Sequence, residues 1–107
     1  MPDPPFAIVE RLPAFDRDMK ALKKKYRSLD EDLGTVVRTA LHAYHHLGVD
    51  SGHIEPIRGI QSVEHVVVCK VVRMACKSLK GTGSRSGMRV THGYESGRDR
   101  VVLLEIY

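Results

Sequence analysis

The sequence predicts an α+β domain of order β-α-α-β-β-β: a small, largely antiparallel sheet of about four strands with a helical hairpin on one face. Three observations predict it. Two amphipathic helical patterns follow one another early in the chain, a valine-rich run dominates the middle, and two apolar runs joined by the turn SGRD close it. At 107 residues the length suits one domain over 1–107, with core enough for two layers.

FAIVE, Phe6 to Glu10, has the length and β-branched content of a short strand, crowded at its start by Pro4 and Pro5. In LPAFDRDMKALKKKY, Phe15, Met19, Leu22 and Tyr26 recur every three or four residues and share one helix face. Pro13 suits a first helical turn, where its missing N–H costs nothing. Asp16 and Asp18 come early and Lys20, Lys23, Lys24 and Lys25 come late, the order the helix dipole favours.

SLDEDLGTVVRTALHAYHHLG reads as a second helix. Ser28 with Glu31 three residues on is a capping-box signature, and Asp30 and Asp32 add favourable charge at the same end. The expected apolar stripe is Leu29, Leu33, Val36, Val37, Ala40, Leu41, Tyr44 and Leu47. Gly34 weakens the helix and Gly48 stops it. VDSGHIEPIRGIQS, with Gly52, Pro56 and Gly59, reads as a loop that returns to the core through Ile54, Ile57 and Ile60. VEHVVVCKVVRMA is a strand by its valine content. GMRVTHGYE and RVVLLEIY form the closing hairpin.

Seventeen lysines and arginines against thirteen acids leave a net charge of +4, which favours an anionic partner. Cys69 and Cys76 fit a reducing compartment better than a disulfide framework. The opening PDPPF lacks the basic start and apolar run of a signal peptide, and no stretch approaches a membrane span. A cytoplasmic protein without membrane contact is expected.

KSLKGTGSRSGMRV, residues 77–90, concentrates flexible backbone and positive charge just before a strand. Lys77, Lys80 and Arg85 suit phosphate oxygens, and glycines let backbone N–H groups approach an anion. The alternative is a solvated hairpin connection. The stretch is no P-loop, since it lacks GxxxxGK[ST] and precedes a strand. Side chains alternate along the strand that follows: Met88, Val90, His92 and Tyr94 are expected to face the helices, and Arg89, Thr91 and Glu95 the open side. On the last strand Val102, Leu104 and Ile106 are expected in the core, with Val101, Leu103, Glu105 and Tyr107 on the open side. Arg89, Glu105 and Tyr107 would then share one surface beside the basic loop.

His92 suits proton transfer near neutral pH, but its parity also fits a satisfied core histidine. His42, His45 and His46 form an HxxHH pattern with no acid or cysteine at useful spacing, and read as surface histidines. The two cysteines lack the close CxxC spacing of a zinc site and read as buried thiols. The basic helix end Lys20, Lys23, Lys24, Lys25 and Arg27 reads equally as a nucleic-acid track or as solvated charge.

FAIVERLPAFDRDMKALKKKYRSLDEDL and CKVVRMACKSLKGTGSRSGMRVTHGYESGRDRVVLLEIY together resemble the RelE/ParE/HigB group of toxins of type II toxin–antitoxin systems. The resemblance covers most of the chain, with the middle loop least matched. It implies a RelE-like fold and, for the RelE branch, an endoribonuclease that cuts mRNA in the ribosomal A site and is neutralised by a cognate antitoxin in a hetero-oligomeric complex. It implies no cofactor and no metal, because the attacking group is the RNA's own 2′-hydroxyl. Arg89 matches the family arginine that grips the scissile phosphate. Lys70 and Arg73 lie on the preceding strand, where members carry basic residues toward RNA. Lys77, Lys80 and Arg85 would guide the backbone, with Lys80 also near the reacting phosphate. His92, Glu105 and Tyr107 are the candidates for proton transfer. Many active relatives continue past the last strand with a further arginine or tyrosine that contributes to cleavage, whereas this sequence stops at Tyr107. Other branches inhibit DNA gyrase without cleaving RNA, and a catalytically inactive RNA-binding member is a third possibility.

Overall fold

The computed structural model describes residues 5–49, 52–57, 66–72, 74, 76, 78 and 87–107. Strand β1, Ile8–Arg11, leads into helix α1, Pro13–Lys23. Pro13 occupies the first turn of α1, and Phe15 and Met19 are its fully buried residues. Leu22 and Tyr26 pack against the same core, so the four-residue stripe expected of this segment is the buried one.

The second helical pattern folds as α2, Leu29–Val36, a π-helical turn Val37–Leu41, and α3, His42–Leu47. The π turn coincides with two hydroxyls bonded back onto the helix: Thr35 Oγ1 donates to the Glu31 carbonyl at 3.1 Å and Thr39 Oγ1 to the Thr35 carbonyl at 2.7 Å. A widened turn slips the inward phase of the helical residues beyond it. The stripe expected to run on through Leu47 therefore ends early: Leu47 is 63% exposed, and His45 and His46 turn toward the sheet instead. Gly48 ends α3 in the left-handed region at φ 67°, as expected of a helix stop. The expected capping box does not form. Ser28 Oγ is engaged with the Asp32 carboxylate at 2.7 Å and with Ser78, and caps no helix N–H.

Strand β2 is Ile54–Pro56, β3 Val66–Val71, β4 Val90–Glu95 and β5 Arg100–Ile106. Among the described residues they form a five-stranded mixed sheet of order β1-β5-β4-β3-β2. β1 runs parallel to β5, and the other neighbours are antiparallel. The segment expected to be only a loop thus contributes an edge strand. Its Pro56 is tolerated because an edge residue need not donate to a second neighbour. Ile54 reaches the core as expected, Ile57 is half-buried, and Ile60 lies outside the described residues.

The helices cover one side of this sheet. Phe15, Met19, Leu29, Leu33 and Leu41 from the helices meet Val71, Val90, Val101, Leu103 and Ile106 from the strands, all at most 2% exposed. On β4 the expected parity holds: Met88, Val90, His92 and Tyr94 are buried. On β5 it holds only in part. Val101 and Leu103 are core residues, whereas Val102 and Leu104 are only partly buried. The reason is a bulge. Thr91 pairs with Glu105 but His92 pairs with Leu103, leaving Leu104 as an extra residue that reverses the alternation. Beyond it Ile106 points inward, and Glu105 and Tyr107 lie outward as expected.

Candidate functional sites on the two sides of the sheet

The side of the sheet that carries no helix among the described residues holds the surface expected to meet an anion. Cys69 and Val71 point into the core, so Lys70 between them points out. The ladders place Glu55, Lys70, Thr91 and Glu105 in one row across β2, β3, β4 and β5. Arg89 and Tyr107 form the adjacent row. The Arg89 N–H donates to the Tyr107 carbonyl at 2.9 Å, and the Tyr107 N–H to the Arg89 carbonyl at 3.0 Å. Gly87 makes this possible: at φ 81° it turns the chain so that Met88 enters the core and Arg89 emerges. The Arg89 guanidinium lies back along its own strand, with Nη1 donating to the Met88 carbonyl at 3.2 Å. Tyr107 is 56% exposed and Glu105 is exposed.

Lys70, Arg89, Glu105 and Tyr107 are therefore brought together on one surface. Arg73, Lys77, Lys80 and Arg85 lie outside the described residues. His92 is not part of this surface. It points to the opposite side, 0% exposed beneath α3, so it cannot share a phosphate with Arg89.

The helix-facing side holds a second, unexpected cluster. His45 Nε2 and His92 Nε2 lie 2.8 Å apart, and the His45 ring stacks on Tyr94 with centroids 4.3 Å apart. Beside them His42 Nδ1 meets His46 Nδ1 at 2.7 Å, and His46 Nε2 meets Asp99 Oδ1 at 2.5 Å. The Tyr94 hydroxyl donates to the same carboxylate oxygen at 2.9 Å. Asp99 accepts from the Ala7 N–H with its other oxygen and from the Ile8 N–H with its carbonyl, so it ties the start of β1 and α3 to the β4–β5 turn. A carboxylate only accepts, so His46 Nε2 is the donor to Asp99.

Burial governs the charge state of the inner pair. Burial, and then the neighbouring His46, lowers His45 to about 4. Burial, and then His45, lowers His92 to about 3. Both rings are thus neutral near pH 7. The hydrogen bond from His46 holds Asp99 below the usual carboxylate range, and burial raises both the Tyr94 phenol and the Cys69 thiol. His92 Nδ1 is buried without a hydrogen-bond partner among the described residues, which costs about 1–3 kcal/mol for a neutral group. Cys69 sits directly across from His92 in the β3–β4 ladder.

The HxxHH residues are thus half-buried and partnered, contrary to the reading as surface histidines. Their partners, His92 and Asp99, lie 47 and 53 residues away and are invisible to local spacing. Cys69 and Cys76 are buried free thiols as expected. No helix among the described residues is long and apolar enough to cross a membrane.

No protein-family model, curated protein or solved structure matches the chain significantly.

Proposed function

We propose that the chain is the toxin of a type II toxin–antitoxin module, a RelE-like endoribonuclease that cleaves mRNA on the ribosome without a metal. The observation that carries this reading is the cross-strand arrangement on the helix-free face: Arg89 bonded by its backbone to Tyr107, one row from Lys70 and Glu105. Cations beside an acid and a phenol form a set suited to phosphoryl transfer with the RNA's own 2′-hydroxyl as nucleophile.

The reaction follows from those roles. Glu105 takes the proton of the 2′-hydroxyl as its oxygen attacks the adjacent phosphorus. Arg89 and Lys70 stabilise the extra negative charge of the pentacovalent state. Tyr107 donates a proton to the departing 5′-oxygen or stacks on a base. The P–O5′ bond breaks, leaving a 2′,3′-cyclic phosphate and a 5′-hydroxyl end. His92 takes no part, because the sheet lies between it and Arg89. The partners of this reading are mRNA, the ribosome and a cognate antitoxin that covers the same face.

The test is cleavage of ribosome-bound mRNA by the purified chain, with end mapping. Wild type is expected to give cyclic-phosphate ends, and Arg89→Ala to lower the rate about 10²–10³-fold, the usual loss on removing one preorganised charge-stabilising group. Intact RNA together with gyrase-dependent DNA damage would replace this reading with gyrase inhibition. Salt-sensitive RNA binding without products would leave only an RNA-binding role.

A further inference from the structure

We propose that His45, Cys69 and His92, brought beneath α3 from three separate elements, bind a Zn2+ ion that fastens the helix to the sheet. Each residue offers one donor atom, and these atoms all lie within 4.8 Å of one another. Two imidazoles and a thiol are the donor types that a borderline-soft d10 cation selects.

The positions are well fixed. Cys69 and His92 are cross-strand partners in the middle of the β3–β4 ladder, and both point at the helices. His45 reaches them from the sheet-facing side of α3, held by its stack on Tyr94. With Zn–N near 2.0–2.1 Å and Zn–S near 2.3 Å, ligand atoms around one tetrahedral zinc sit roughly 3.3–3.7 Å apart. The His45 and His92 nitrogens at 2.8 Å are slightly closer than this, and the full set within 4.8 Å is slightly wider. Small rotations of the rings and of the thiol reconcile the two.

One feature favours ligation over simple packing. Two nitrogens that face each other share a single proton, and once that proton moves to Nδ1 of its own ring a cation engages both facing lone pairs. Binding forms two Zn–N bonds and one Zn–S bond and releases the Cys69 thiol proton to solvent. The fourth position goes to water, as at other three-ligand zinc sites. Asp99, joined to His46 and Tyr94 at the rim, supplies nearby negative charge. The site is on the opposite side of the sheet from Arg89 and is independent of any reaction there.

The chain stripped with chelator is titrated with Co2+ as a spectroscopic substitute, and Zn2+ is then added. One equivalent of Co2+ is expected to give tetrahedral d–d bands and a thiolate-to-cobalt charge-transfer band, both erased by Zn2+. Cys69→Ser should abolish the charge-transfer band and weaken Zn2+ binding by at least about 100-fold, the upper end of what losing a mere outer-shell partner costs. Cys76→Ser should leave both unchanged. Failure of wild type to bind one equivalent, or survival of the band in Cys69→Ser, overturns the proposal. Should Cys69→Ser not fold, the wild-type cobalt spectrum decides, together with melting: Zn2+ must raise the melting temperature of the stripped chain, and an unchanged value also overturns it.

Discussion

His45 on α3 and His92 on β4 meet through their Nε2 atoms at 2.8 Å, across 47 residues of sequence. The contact joins the helical layer to the sheet with two polar rings where apolar side chains would ordinarily do so. It makes the stability of the metal-free fold depend on pH in a definite direction. Unfolded histidines take up a proton near 6.5, whereas in the fold His45 does so only near 4 and His92 near 3. Between these values the unfolded chain binds more protons, so stability is fully present above about pH 6.5 and is lost as pH falls. Among the described residues the titratable groups facing the pair are Tyr44, Tyr94, Cys69 and His46, with Asp99 at the rim. Urea midpoints of the chelator-treated chain should be level above about pH 7 and fall steadily toward about pH 5. His92→Leu should flatten much of that slope. A midpoint unchanged over the range would mean that the folded rings titrate normally.

Asp99→Ala should destabilise the fold by about 1–3 kcal/mol. The carboxylate accepts from the Ala7 N–H, the Tyr94 hydroxyl and His46. Its own backbone is left-handed at φ 51°, which asparagine tolerates better than alanine. Asp99→Asn should therefore cost less than Asp99→Ala in a thermal melt. Equal losses would assign the effect to the charge alone.

Gly87→Ala should cost about 1–2 kcal/mol, because the residue sits at φ 81° where a Cβ meets its own backbone. Nothing lies within 4 Å of a Cβ added there, so crowding by neighbours would not contribute. The same substitution should lower Arg89-dependent activity, since Gly87 sets the turn from which Arg89 emerges. A stable Gly87→Ala with full activity would remove that link.

The two sides of the sheet differ in how far the sequence discloses them. On β4 the alternation of Met88, Val90, His92 and Tyr94 with Arg89, Thr91 and Glu95 is a property of any extended chain, so its two faces can be read directly. On β5 the same reasoning puts Val101 and Leu103 on the wrong face, because the bulge at Leu104 reverses parity and every neighbouring residue is apolar. The π turn at Val37–Leu41 has a similar effect on α3, exposing Leu47 and turning the histidines inward. The histidine cluster is hidden for a further reason. Its members come from α3, β3, β4 and the β4–β5 turn, and only tertiary folding gives His45 a partner in His92 and His46 a partner in Asp99. Spacing along the chain finds sites built within one element and misses those assembled from several.

On the helix-free face, binding and cleavage should separate by residue. Lys70 on β3 and Arg89 just before β4 are cations in adjacent rows, and Glu105 on β5 stands in the row of Lys70. If RNA lies across this row, each cation that meets a phosphate contributes to counterion release. Arg89→Ala and Lys70→Ala should each weaken binding and reduce the slope of log K against log salt by about 0.7, the value for one contact to a single strand. Arg89→Lys should restore the salt slope but not the full rate, because an ammonium lacks the planar fork that matches two phosphate oxygens. Glu105→Gln should do the opposite. It removes a negative charge beside the RNA, so binding should tighten slightly, while the rate falls about 10²–10⁴-fold for want of a base. Filter binding over a salt series and single-turnover cleavage on the same preparations measure both quantities. Parallel losses of binding and rate in all of these variants would mean that the face only holds RNA, and that whatever performs the chemistry lies elsewhere.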